Sequence, residues 1–191
     1  MFATLPYLRS KIEQTHMSEK EYSKMFNNRA MQYGTILGAV WSIMYLIFFA
    51  GIKSPITLPL GLLIFLASPF IAAAYAKRFR KQECNDTMSY TKALIFLVTM
   101  YICATLLSTA VIFVYFNYID NGAFISTVLE MITVLENTPG IQADTSVALH
   151  EMADIYSRMT PGDFVWTTMD GNITNSLLLP LIIALFIRKN R

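Results

Sequence analysis

The chain has little charge and few of the residues that most chemistry needs. Of its 191 residues 15% are charged and 54% hydrophobic, against about 25% and about 45–50% in ordinary soluble domains. It has two histidines and two cysteines. There is no glycine-rich phosphate loop, no nucleophile elbow and no closely spaced cysteine pair, which removes the commonest signatures of nucleotide, hydrolase and thiol-redox chemistry. Cys84 sits in a basic loop and Cys103 inside an apolar run. A disulfide would have to join a loop to a buried span, so free thiols are expected. A secretory leader is not expected either: the opening residues are polar and charged ("RSKIEQTHMSEKEYSK"), and the first apolar run is too long for a leader's core. The first span is therefore expected to stay in the mature protein.

Charge is absent from four long stretches: Tyr33 to Ile52, Ser54 to Ala76, Ala93 to Ile119 and Gly171 to Ile187. About 20 apolar residues, at about 1.5 Å each, cross a hydrocarbon core of about 30 Å. The first three stretches are long enough and the fourth is marginal. Core helices of a soluble protein keep a polar face that these stretches lack. The expected fold is all-α: an integral membrane bundle of four transmembrane helices, with spans at about 33–52, 55–76, 93–119 and 165–187. Residues 1–30 read as a cytoplasmic tail with a short helix, residues 31–191 as the membrane domain, and 120–164 as an external acidic loop of two helices.

Where charge is present, it is partitioned. Arg9, Lys11, Lys20, Lys24 and Arg29 precede the first span; Lys77, Arg78, Arg80, Lys81 and Lys92 lie between the second and third; Arg188, Lys189 and Arg191 follow the fourth. The first loop has Lys53 and the long third loop Arg158. The positive-inside rule then places both termini and the second loop in the cytoplasm. The basic cluster of the second loop is read as a topology determinant. Without interleaved aromatics it does not make a nucleic-acid partner. Ser18 and Glu21 match a capping box, so a helix is expected to run from about Glu19 into the first span. Pro55 and Pro59 in a short first loop predict a tight hairpin.

In the third loop, Ile125, Val128, Leu129, Ile132 and Leu135 recur at helical spacing, as do Leu149, Met152, Ala153, Tyr156 and Met159. With eight acids and one arginine between Asp120 and Asp170, the loop does not suit an anionic lipid surface. A helical cap packed on itself and on the bundle is expected.

"HEMAD" at 150–154 resembles half of a zinc site, with Asp154 where a second histidine belongs. The other histidine, His16, is expected on the opposite side of the membrane, so no metal and no cofactor is expected. No span carries an ionisable group near its centre, which argues against an ion-driven pump. Small residues do recur every four positions: Gly34, Gly38 and Ser42; Ser68, Ala72 and Ala76; Ala104 and Ser108; Asn172, Ser176, Pro180 and Ala184. These are packing faces, and Gly34 and Gly38 offer a dimerisation option. The sequons at Asn85 and Asn172 fall where glycosylation does not occur.

"TPGDFVWTTMDGN" (160–172) holds two carboxylates. Thr160 reads as an N-cap, Pro161 as the first helical residue and Asp163 as a first-turn acid favoured by the helix dipole. The last helix would then run from about Pro161 to Arg188, with Phe164 and Trp166 near the interface. Asp170, with no evident cation partner, is left as the candidate polar residue at the membrane mouth.

The arrangement of "SYTKALIFLV" (89–98), "FNYID" (116–120), "MTPGDF" (159–164) and "LIIALFIRKNR" (181–191) resembles an uncharacterised bacterial family of small four-span membrane proteins, catalogued as domain of unknown function 4199. The resemblance covers residues 30 to 191. It implies the four-span fold and a bacterial inner-membrane location, and brings no assigned activity and no functional residues. The expected function is a non-enzymatic accessory or envelope-associated membrane protein, whose acidic external loop meets another membrane or envelope protein. The alternative is a small transporter or channel, working as an oligomer, with a path lined by Tyr101, Thr105, Ser108, Asn172 and Ser176.

Overall fold

A computed structural model describes residues 19–52, 54, 56–140 and 142–189. Ser18, Lys53 and Pro55 lie outside the described residues, and with them half of the first capping box and part of the first turn. The described residues form helices α1 (Glu19–Ala50), α2 (Thr57–Glu83), α3 (Tyr90–Val114), α4 (Ala123–Glu136), α5 (Ala143–Arg158) and α6 (Pro161–Ile187), with a π-helical turn, Tyr115–Ile119, extending α3. Four of them, α1, α2, α3 with its π turn, and α6, are long and apolar enough to cross a membrane.

The helices outrun the charge-free stretches. Helix α2 continues past Ala76 to Glu83 and carries Lys77, Arg78, Arg80 and Lys81 beyond the apolar part. Helix α6 starts at the Thr160–Pro161 signal: Thr160 Oγ1 accepts from the Asp163 amide, and the Asp163 carboxylate accepts from the Thr160 amide at 2.8 Å. Its 27 residues reach about 40 Å, so the marginal fourth span is full length. Helix α1 passes through residue 30 without a break, and Phe26 and Ala30 are buried in the core.

Helix α3 is the centre of the bundle, packed along α1 on one side and α6 on the other, while α2 leans mainly on α1. Close backbone approach makes the first contact possible. A Cβ on Gly34 would stand 2.5 Å from the Met100 carbonyl oxygen, and one on Gly38 3.0 Å from Ala104 Cα. Lipid tails are as apolar as the helices, so such tight packing, rather than hydrophobicity, holds α1 to α3. The Gly34–Gly38 stripe is thus a packing face within the chain, set against α3. Ser42, one turn on, is buried and donates to the Gly38 carbonyl at 2.7 Å. Helix α2 is the least enclosed: 17% of its most apolar stretch is buried, against 44% for α1 and α3. Its Leu62, Leu63, Leu66 and Phe70 face outward.

Each end of the bundle has an aromatic cluster. At the basic end Phe79 stacks on Phe96, with centroids 4.3 Å apart, and Phe26 meets Phe96 edge-on at 5.4 Å. At the acidic end Phe116 stacks on Phe164 at 5.2 Å, while Phe124 meets Phe49 at 5.2 Å and Phe164 at 5.3 Å. Helix α4 begins after a left-handed pair, Asn121 and Gly122, the second in a conformation glycine adopts without strain.

Candidate functional site

Inside the bundle several polar side chains of the spans are joined across facing helices. Ser176 Oγ donates to the Asn172 carbonyl at 2.7 Å, which leaves its oxygen to accept from Thr105 Oγ1 at 2.9 Å. Tyr45 OH donates to Asn172 Oδ1 at 2.7 Å, and Ser108 Oγ to the Thr105 carbonyl at 3.1 Å. Trp41 Nε1 donates to Ser68 Oγ at 2.8 Å. Tyr101, Thr105, Ser108, Asn172 and Ser176 are all buried, in a seam through close-packed helices. Asn172 Nδ2 and the Tyr101 hydroxyl have no hydrogen-bond partner there.

Trp41 and Tyr45 were not singled out by small-residue spacing, although a signal was present. A Trp or Tyr inside a charge-free span carries a donor that lipid cannot satisfy, so each implies a polar partner on a facing helix.

At the acidic end, α4 and α5 form a helical hairpin. The buried side chains of α4 are Phe124, Thr127 and Ile132, and α5 has none fully buried. The expected faces are therefore only partly covered: Leu135 and Met152 are exposed, while the residues packed on the bundle, among them Ile125, Val128, Tyr156 and Met159, lie against the aromatic cluster at the hairpin's base. Tyr156 reaches that cluster, with its ring 6.1 Å from Phe164. Farther out, Met131, Val134, Leu135, Val147, Met152 and Ile155 are exposed. Val134 is 65% exposed and Ile155 57%, so neither packs against the protein.

The HEMAD pair is divided between other partners. Asp154 takes Arg158 at 2.9 Å, one turn along α5, while His150 Nδ1 lies 3.7 Å from Glu136 of α4. Among the described residues no three His, Cys, Asp or Glu side chains converge as a metal would need. Asp163 is committed to capping α6. Asp170 stands exposed on α6, and no hydrogen bond or ion pair ties it down among the described residues. The structure does not bring Asp163 and Asp170 together as a site.

The basic end is closed by a polar clamp. Met88 and Lys189 exchange both backbone hydrogen bonds, each at 3.0 Å. Arg80 donates Nε to Asp86 Oδ1 at 3.0 Å and Nη1 to the Ile187 carbonyl at 2.6 Å, and Lys189 pairs with the other Asp86 oxygen. Arg29 of α1 reaches Glu83 of α2 at 3.0 Å. The Lys189 ammonium, with Arg80 behind it, holds the Asp86 carboxyl below the usual carboxylate range. Cys84 is free, like Cys103, and burial pushes its thiol above the ordinary range, which makes it a poor nucleophile at neutral pH.

With four spanning helices and this arrangement in place, comparison with known families finds a match over most of the chain. The model of the family described as "Protein of unknown function (DUF4199)" matches residues 32–189. The chain belongs to that family. No curated protein and no solved structure matches it. It is a multi-pass integral membrane protein, and family membership adds no activity to that statement.

Proposed function

We propose that the chain is a non-enzymatic accessory subunit of a bacterial inner membrane. Both termini lie in the cytoplasm, and the acidic hairpin outside docks a cationic, amphipathic segment of another envelope protein. The observation that carries this reading is the exposed apolar strip of Met131, Val134, Leu135, Val147, Met152 and Ile155 on a loop of strong negative charge. Met131, Val134 and Leu135 line one surface groove of α4, and large exposed apolar groups in an extramembrane loop mark an interaction site when they cluster. The acids around them favour a basic partner and oppose both anionic lipid and a second copy of the same hairpin. The clustering of thirteen of the fifteen basic residues in the tail, the second loop and the C-terminus supports the orientation. The transporter alternative draws less support, because the side chains that would line a path are buried in a close-packed seam, with Thr105 and Ser176 bonded to each other and Asn172 taken by Tyr45.

Photo-crosslinking residues at Val134 and Ile155, in cells producing the chain at native level, test the reading. A defined protein adduct at both positions, absent from a lipid-facing control at Leu63, is the expected result. Adducts to lipid alone, or none, would sink it.

A further inference from the structure

Between the α1–α2 turn, the π turn and the start of α4 lies a cavity of about 270 Å³, lined by Phe49, Gly51, Ile52, Ser54, Tyr115, Asp120, Ala123, Phe124 and Thr127. It is small for a drug-sized ligand, and three of its walls are aromatic. Its one ionisable acid, Asp120, is 6% exposed. The Asp120 carboxylate accepts the Phe124 N–H, shared between its two oxygens at 3.1 and 3.2 Å, and the Tyr115 phenol lies against it.

A buried carboxylate needs compensation. The amino end of α4 and the Tyr115 phenol partly offset the charge, and the carboxylate still lines the cavity. Among the described residues no cation pairs with Asp120. A hard divalent ion would want several oxygen ligands, whereas an organic ammonium uses both the carboxylate and the aromatic faces.

We propose that this cavity, at the membrane boundary of the acidic end, binds an organic ammonium group through Asp120 and the rings of Phe49, Tyr115 and Phe124. The group belongs either to a free small amine or to the head of an ethanolamine- or choline-bearing lipid. The site is distinct from the hairpin strip, and neither needs the other.

The test uses the full chain in nanodiscs. Choline and ethanolamine are titrated calorimetrically into nanodiscs of phosphatidylglycerol alone, beside the uncharged isostere of choline in which carbon replaces the quaternary nitrogen. A second arm compares thermal unfolding in discs with and without phosphatidylethanolamine or phosphatidylcholine. Binding of the free amines identifies a soluble ligand, and stabilisation confined to the amine-bearing lipids identifies a headgroup; either supports the site. The isostere is expected to bind about tenfold or more weakly than choline.

Asp120→Asn keeps an acceptor for the Phe124 amide and should abolish ammonium binding. Ala123→Leu fills the cavity, leaves the carboxylate in place and should do the same with unfolding unchanged. Equal binding of choline and its isostere, or full binding by folded Asp120→Asn, overturns the proposal, as does the absence of any amine or lipid effect. Lys53 falls between two lining residues in the chain. A Lys53→Gln variant that bound choline about tenfold tighter would make that lysine the internal counter-charge and overturn it as well.

Discussion

At the basic end residues 187–189 are returned to α2 and the α2–α3 loop by two backbone hydrogen bonds and two side-chain links, Arg80 to the Ile187 carbonyl and Lys189 to Asp86, with Arg80 also holding Asp86. At the acidic end the described contacts that hold the hairpin are largely aromatic, from Phe124 and Tyr156 to Phe49, Phe116 and Phe164. Directional polar bonds close one end. Aromatic packing anchors the base of the other, and Met131, Val134, Leu135, Val147, Met152 and Ile155 beyond it stay exposed. A closed end suits an anchor, and an open one suits docking.

Truncating Phe124 is the strongest way to break this contrast. The ring touches Phe48, Phe49, Phe116 and Phe164, and Phe124→Ala should cost about 3–5 kcal/mol. Hydrogen exchange should show the loss across α4 and α5 while the Met88 and Lys189 amides keep their protection. Equal loss at both ends would mean that the bundle responds as one unit and that the contrast is only descriptive.

Arg80→Leu attacks the other end. It preserves the aliphatic bulk of a side chain that is 12% exposed and leaves the Ile187 carbonyl and one Asp86 oxygen without their donor. Losing such a partner costs about 1–3 kcal/mol. Unfolding measured in detergent should fall by that amount, with the C-terminus becoming protease-sensitive first and α4 and α5 unaffected.

Much of this architecture is legible from residues. The charge-free runs mark the spans, and the Thr160–Pro161–Asp163 pattern marks the start of α6, because both rest on local chemistry. The fate of Gly34 and Gly38 was not legible: the same spacing serves a second copy or a neighbouring span, and only the α3 backbone at Met100 and Ala104 decides between them. Asp120 was counted among the loop acids for a similar reason. Its burial depends on the π turn and on three aromatic residues that come together only in the fold. Asp170 stands exposed on α6, with no bonded partner among the described residues.

A smaller effect comes from pH. Lys189 first, then Arg80, hold the folded Asp86 carboxyl below its ordinary value. A depressed carboxylate contributes stability that is fully present above its unfolded pKa of about 3.9 and is lost as pH falls through the folded value. The clamp should therefore be intact at neutral pH and loosen only below about pH 4. Protection of the Met88 and Lys189 amides, corrected for intrinsic exchange, should decline there in the natural chain. In Asp86→Asn it should already be reduced at neutral pH and show no such decline. An identical profile in both would remove Asp86 from the clamp.

The smallest expected change in stability belongs to the surface with the proposed function. Val134 and Ile155 face outward and support nothing inside the chain, so Val134→Gln with Ile155→Gln should leave unfolding within about 0.5 kcal/mol of the natural protein. The same pair should erase the crosslinked adduct read from a third position, Leu135, because the partner loses two apolar contacts while the surrounding acids remain. If stability falls instead by as much as with Phe124→Ala, the strip is part of the fold, packed against something the isolated chain supplies. The acidic end would then be as closed as the basic one, and the docking reading would lose its support.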